Sequence, residues 1–212
     1  MGGRGSGSGS GVGGGGLNPA DIVSTRSLIS EREGKRKEVD QALKTLRSVG
    51  EKYNVTIEDA QVAVLKGRGA STMGYFDADG NIAINESYFD AKKMNSAYDE
   101  SVKAKFHPPR GKKTGIEAVM AHELGHRLTE AIGKSMGLGD WALDRAADRI
   151  VRDAAKAAGY GNRTRQFRGA ISGYAKKNPA ETLAEAFSDV YCNGKKASKE
   201  SRAIVDEMNK YF

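Results

Sequence analysis

The residues best able to do chemistry lie in "IEAVMAHELGHRL", residues 116–128, which holds two of the three histidines in the chain. His122 and His126 are four apart, so on a helix both imidazoles project from one face about one turn apart. From there both can reach one metal ion at about 2.0–2.1 Å. Glu123 stands beside the first, where its carboxylate can meet a water at that ion. Ile116, Val119, Met120 and Leu124 are apolar, so the helix should be buried and the site shielded. Gly125 keeps the helix slim where something packs against it. This is an H-E-x-x-H pattern. The bare pattern also suits a helix that carries two imidazoles and no metal. A third ligand decides between the two, because catalytic zinc takes three protein ligands and keeps one position open. No histidine follows His126, so that ligand has to be a carboxylate.

Carboxylates of the right kind occur downstream in "GYAKKNPAETLAEAFSD", residues 173–189. Glu181 and Glu185 are four apart on a helix expected from Pro179, with Leu183 and Phe187 close by. Burying two carboxylates there is costly unless each has a partner. A metal for one and an imidazole N–H for the other would meet that demand. The plainer alternative puts both glutamates on the solvent face of an amphipathic helix.

H-E-x-x-H followed by E-x-x-x-E resembles the gluzincin metallopeptidases. Thermolysin shares the logic with a much shorter interval than the 55 residues from His126 to Glu181. A closer likeness is to the family of the anthrax lethal factor catalytic domain. Its second motif has a tyrosine seven residues before the glutamate ligand and then "AEAF", as Tyr174, Glu181 and residues 184–187 have here. That likeness covers about residues 114–190, without the large further domains of the toxin. It implies a zincin-like α+β fold in which His122, His126 and Glu181 hold one Zn2+ per chain. Glu123 would be the general base, Tyr174 would assist at the oxyanion, and Glu185 would stand behind the ligands. The implied activity is zinc-dependent endopeptidase, acting on a protein or peptide substrate. The metal would polarise the scissile carbonyl and lower the pKa of a water toward roughly 7.

The layout also resembles small zincin proteins encoded in phage and prophage morphogenesis regions, with "MGGRG" starts and endings like "NPAETLAEAFSDVYCNG". This likeness would add phage structural proteins as partners and a cytoplasmic or virion-associated location. It also opens an alternative, a head-assembly protein with structural zinc and vestigial proteolysis. A basic nucleic-acid-binding protein is the remaining rival.

Charge speaks to that rival. The net charge is +7 and the pI near 9.4, which favours anionic surfaces. Five basic residues and no acid lie in "KAKFHPPRGKK", residues 103–113, which reads as a solvated loop. No repeated aromatics form a base-stacking platform, so nucleic acid is the weaker reading. His107, within that loop, reads as a loop histidine and not a ligand. A single cysteine, Cys192, excludes an internal disulfide and fits a reducing compartment, with an inert thiol near a helix end. No apolar stretch approaches the roughly 18 residues of a membrane helix, and no secretory signal is visible.

The elements that must position these groups follow from periodicity. Residues 1–16, with ten glycines, read as a disordered tail before one domain spanning 17–212. Val39, Leu43, Leu46, Val49 and Tyr53 mark a helix over 30–53, with Gly34 weakening its first turn. Val62, Val64 and Leu65 suggest a strand. "TMGYFDADGNIAIN" reads as a β-hairpin turning at "DADG" and offering an edge strand to an extended peptide. Its Asp77-x-Asp79-Gly80-Asn81 string lacks the closing acidic ligand of a calcium loop. Helices are expected over 89–104, from a Thr114/Glu117 capping box to about Ile132, within "GDWALDRAADRIVRDAAKAAGYG", and over 164–173. Two more should run from Pro179 to Cys192 and from Ser198 to the C-terminus. The expected fold is α+β, mostly helical, with one small mixed sheet.

Overall fold

The computed structural model describes residues 21–212 apart from 58 and 78, so the expected glycine-rich tail lies outside the described residues. Chain order runs β1 (Ile22–Leu28), α1 (Arg36–Tyr53), β2 (Gln61–Leu65), β3 (Gly74–Phe76), β4 (Ile82–Asn85) and α2 (Ala91–Lys103). Then come α3 (Gly115–Ser135), α4 (Ala142–Ala157), α5 (Thr164–Ile171), α6 (Pro179–Asn193) and α7 (Lys199–Met208), with short 3-10 turns between. The chain is α+β, mostly helical, with one mixed four-stranded sheet.

Sheet order is β1-β2-β4-β3. β2 pairs parallel with β4, and the outer strands pair antiparallel with their neighbours. Among the described strands β3 is therefore an edge, as the hairpin reading expected. Its turn closes on Asp77, whose Oδ1 accepts from the backbone N–H groups of Asp79 and Asn81 at 3.0 and 2.9 Å. Gly80 takes a φ of +85°, which only glycine adopts without strain. The strand β1, absent from the expectation, pairs with β2 through an irregularity between Val23 and Ser27.

Helix starts follow local chemistry. α1 begins at Arg36 and not at residue 30, because Gly34 sits at φ +71° and cannot continue a helix there. α3 opens with both halves of the capping box formed between Thr114 and Glu117. α6 opens with Pro179 in its first turn, and the Asn178 side chain accepts from the backbone N–H of Glu181 at 2.8 Å.

α3 is the central element. It packs against α1, α2, α4, α6 and strands β3 and β4, and its Ile116, Met120, Leu124, Leu128 and Ile132 are fully buried. Its most extensive packing is with α6. A methyl added at Gly125 would lie 2.7 Å from the Cα of Ala184, so glycine lets the two backbones touch. Ser188 ties the same pair by donating to the Ala118 carbonyl at 2.9 Å. No described helix is long and apolar enough to cross a membrane.

Candidate metal centre

The α3–α6 crossing sets the site. His122 and His126 leave α3 toward α6, and Glu181, in the first turn of α6, points back. Glu181 Oε2 lies 3.3 Å from His122 Nε2 and 3.4 Å from His126 Nε2. All three residues are buried. Neither His126 Nε2 nor Glu181 Oε2 finds a hydrogen-bond partner among the described residues. Buried polar atoms that approach without bonding one another call for a common partner. Two donors at about 2.0–2.1 Å from a tetrahedral ion stand about 3.3–3.4 Å apart, which is the spacing found here. His122, Glu123 and His126 also offer donor atoms that all lie within 4.8 Å of one another. The buried group can hold a metal ion.

The outer partners fix which nitrogens are available. His122 Nδ1 lies 2.8 Å from Glu185 Oε1, and His107 Nδ1 meets the same oxygen at 2.8 Å. Ser172 donates to Glu185 Oε2 at 2.8 Å. Burial alone would raise the Glu185 carboxyl, but His107 and His122 outweigh it and hold the group down at about 2. Glu185 is thus ionised and accepts from both Nδ1–H groups. His122 is left with a lone pair on Nε2, facing Glu181, as a metal ligand requires.

Electrostatics agree with a cation site. Burial lowers the His126 pKa, so that imidazole is neutral near pH 7. Burial also opposes charge on His122, but Glu181 and Glu185 overcome it and raise its pKa well above the ordinary value. Glu181 is pushed up by burial and pulled further down by His122 and His126. A proton on His122 therefore competes with any metal for Nε2, and metal binding should weaken in acid.

Tyr174, between α5 and α6, is 2% exposed, and its ring centroid lies 5.9 Å from that of His122. Burial, then the charges of Glu181 and Glu123, raise its pKa, so the phenol keeps its proton and can donate. Lys177 Nζ lies 3.1 Å from the Tyr174 hydroxyl and 3.1 Å from Glu181 Oε1. The edge strand completes the site. A methyl at Gly74 would come 3.2 Å from Glu123 Oε1 and 2.7 Å from Val119, so β3 runs directly against Glu123.

No family model, no curated protein and no solved structure matches the chain. The site stands on its own geometry.

All six residues singled out in sequence, His122, Glu123, His126, Tyr174, Glu181 and Glu185, come together. The reading of residues 103–113 holds in part, and that of His107 needs correction. Lys103, Lys105 and Lys112 are exposed, as a solvated loop requires, but the segment is also anchored. Lys105 and Phe106 carbonyls accept from the Gly173 and Tyr174 N–H groups at 2.9 and 3.0 Å. Arg110 forks onto Asp99 at 2.8 Å in both contacts, and Lys113 pairs with Glu117 at 3.1 Å. His107 is accordingly no solvent-facing loop residue. It is 5% exposed, stacked on Tyr98, and bonded to Glu185. Ser172, Lys177 and His107 were the site residues missed. Pro108 after His107, within a short loop between two helices, was the one available signal of a fixed backbone there.

Proposed function

We propose that the chain is a zinc-dependent endopeptidase of the gluzincin kind, with a zincin-like fold. The observation that supports it most directly is Glu181 Oε2 at 3.3 and 3.4 Å from the two Nε2 atoms, with Glu123 in the same buried cluster. Two imidazoles and one carboxylate are a donor set that suits zinc. The ion, when bound, supplies Lewis acidity to the scissile carbonyl and to the attacking water.

The rest of the chemistry belongs to the protein. Glu123 takes the proton of the attacking water and passes it to the leaving amine. The Tyr174 phenol donates a hydrogen bond to the oxyanion. Glu185 keeps His122 in the tautomer that presents Nε2. An extended peptide adds to the free edge of β3, which carries its scissile bond past Glu123. The tyrosine-to-glutamate interval of seven residues, shared with the lethal factor catalytic family, supports the same roles for Tyr174 and Glu181.

The test couples metal content to turnover. Wild type should hold about one zinc per chain, and His126→Ala should lose it. Glu123→Gln should keep its zinc and its melting temperature while new peptide termini, sequenced after incubation with a proteome, disappear. Equal zinc in wild type and His126→Ala would refute the site. Zinc loss in Glu123→Gln would make that residue a ligand and not a base.

A further inference from the structure

Lys177 has no part in the chemistry described so far, yet its ammonium bridges two groups that do. It lies 3.1 Å from the Tyr174 hydroxyl and 3.1 Å from Glu181 Oε1. The position is built from both sides. Lys177 precedes the Asn178 cap, so it sits one turn before Glu181 on the entry to α6. Its backbone N–H donates to the Tyr174 carbonyl at 2.9 Å, closing the turn that holds tyrosine and lysine together. Its Nζ also stands over the Tyr174 ring, 4.9 Å from the centroid.

The geometry points to Lys177 as a positioning residue that sets two things at once, which oxygen of Glu181 faces the histidines and which way the Tyr174 hydroxyl donates. This rests on the endopeptidase reading for its catalytic half and on the metal site alone for the other half. An ammonium has donors and no acceptor, so at the tyrosine oxygen it can only donate. The lone pair it occupies is then unavailable for other contacts, and the phenolic proton is turned away from the lysine. With Glu181 Oε1 held by the same ammonium, only Oε2 is left for the ion. Glu181 is thereby kept a one-oxygen donor, which leaves room at the ion for a fourth, exchangeable position. A flexible carboxylate would instead close over the ion with both oxygens. A cation beside the tyrosine also favours the partial negative charge that its oxygen carries while donating to an oxyanion.

Full-length protein with Lys177→Met and Lys177→Arg, alone and combined with Tyr174→Phe, tests this with two readouts. The first needs no substrate. Apo protein loaded with Co2+ should show intense visible absorption in wild type, as four-coordinate cobalt does. In Lys177→Met that absorption should weaken, as the second Glu181 oxygen raises the coordination number, and Lys177→Arg should restore most of it. The second readout is turnover. Lys177→Met should lower kcat by about 10- to 100-fold with KM within about threefold, and should cost clearly less once Tyr174 is phenylalanine, where only its hold on Glu181 remains to be lost. An unchanged cobalt spectrum in Lys177→Met overturns the role toward Glu181. Losses that multiply in the double variant overturn the role toward Tyr174. If wild type binds cobalt but cleaves no peptide, the endopeptidase reading fails, and the spectra still decide whether Lys177 governs Glu181.

Discussion

Gly125→Ala tests the central geometric claim, that the α3–α6 contact sets the ligand spacing. The added methyl would lie 2.7 Å from the Ala184 Cα and 3.2 Å from the Phe187 Cβ, whereas ordinary contacts there run from 3.4 Å. The nearest obstacle is backbone, so α6 has to retreat by about 3.4 − 2.7 = 0.7 Å. Glu181 lies three residues before Ala184 on the same helix and moves with it. Metal–ligand distances tolerate roughly 0.2 Å, so the 3.3 and 3.4 Å approaches would open beyond what one ion can span without strain. Metal affinity should fall about 10- to 100-fold, the range seen when ligands lose their orientation. Stability should respond far less. Alanine gains roughly 0.8–1 kcal/mol of helix propensity over glycine, against roughly 1–3 kcal/mol for overpacking. The net loss is roughly 0–2 kcal/mol, a few degrees in Tm for a chain of this length.

Gly133→Ala is the control. Its methyl would meet the Ala142 carbonyl oxygen at 2.1 Å, a harder clash, but seven residues past His126, about 10 Å along the helix axis. It should cost more stability and leave metal affinity within about threefold. Competition titration against a chromophoric chelator, with melts in excess chelator, reads both quantities. Wild-type affinity in Gly125→Ala, or affinity falling in proportion to stability in the two variants, would refute the reasoning.

Two further predictions follow from buried groups. Glu185, held at about 2 against roughly 4.3 in an unfolded chain, contributes stability that is present above about pH 4.3 and lost as pH falls through about 2. His107→Ala removes one of its donors, so the folded value should rise and the acid-unfolding midpoint, followed by circular dichroism, should move up; an unmoved midpoint would show that His107 does not hold Glu185. The Cys192 thiol is pushed up to about 12, chiefly by burial, so its thiolate fraction at pH 8 is roughly 10⁻⁴ against roughly a quarter for a free cysteine. Iodoacetamide should label it more than about 100-fold more slowly than the unfolded chain at pH 8, and comparable rates would contradict the burial.

Helical periodicity and capping chemistry made α3 and α6 legible, and with them His122, Glu123, His126 and Glu181. Those signals are local, and the ligands lie within them. The demand that each buried glutamate have a partner likewise anticipated an imidazole on Glu185. Ser172 and His107 were hidden because their contacts depend on the pairing of residues 105–106 with 173–174, a long-range match with no spacing rule. Charge misled there, since Arg110 and Lys113 read as solvated and are instead tied to Asp99 and Glu117. β1 was missed for another reason. Its "IVSTRSL" carries three β-branched residues but no clean apolar–polar alternation, and its partner strand lies more than thirty residues away.

The length of β3 sets a limit on affinity. The strand spans three residues. Met73 and Asp77 turn their backbone groups to β4 side, bonding Asn85 and Asn81, and Tyr75 in register with Ala83 does the same by alternation. That leaves the N–H and C=O of Gly74 and Phe76 facing outward. Four main-chain hydrogen bonds at roughly 0.5–1.5 kcal/mol each supply roughly 2–6 kcal/mol, and millimolar binding already takes roughly 4.1 kcal/mol before any ordering of the peptide is counted. Main-chain pairing on this edge therefore holds an extended segment at about millimolar strength in the middle of that range, and more weakly once ordering is counted. Short peptides would leave as fast as they arrive, and a protein partner that stays would have to be gripped by its side chains or at a surface away from the strand.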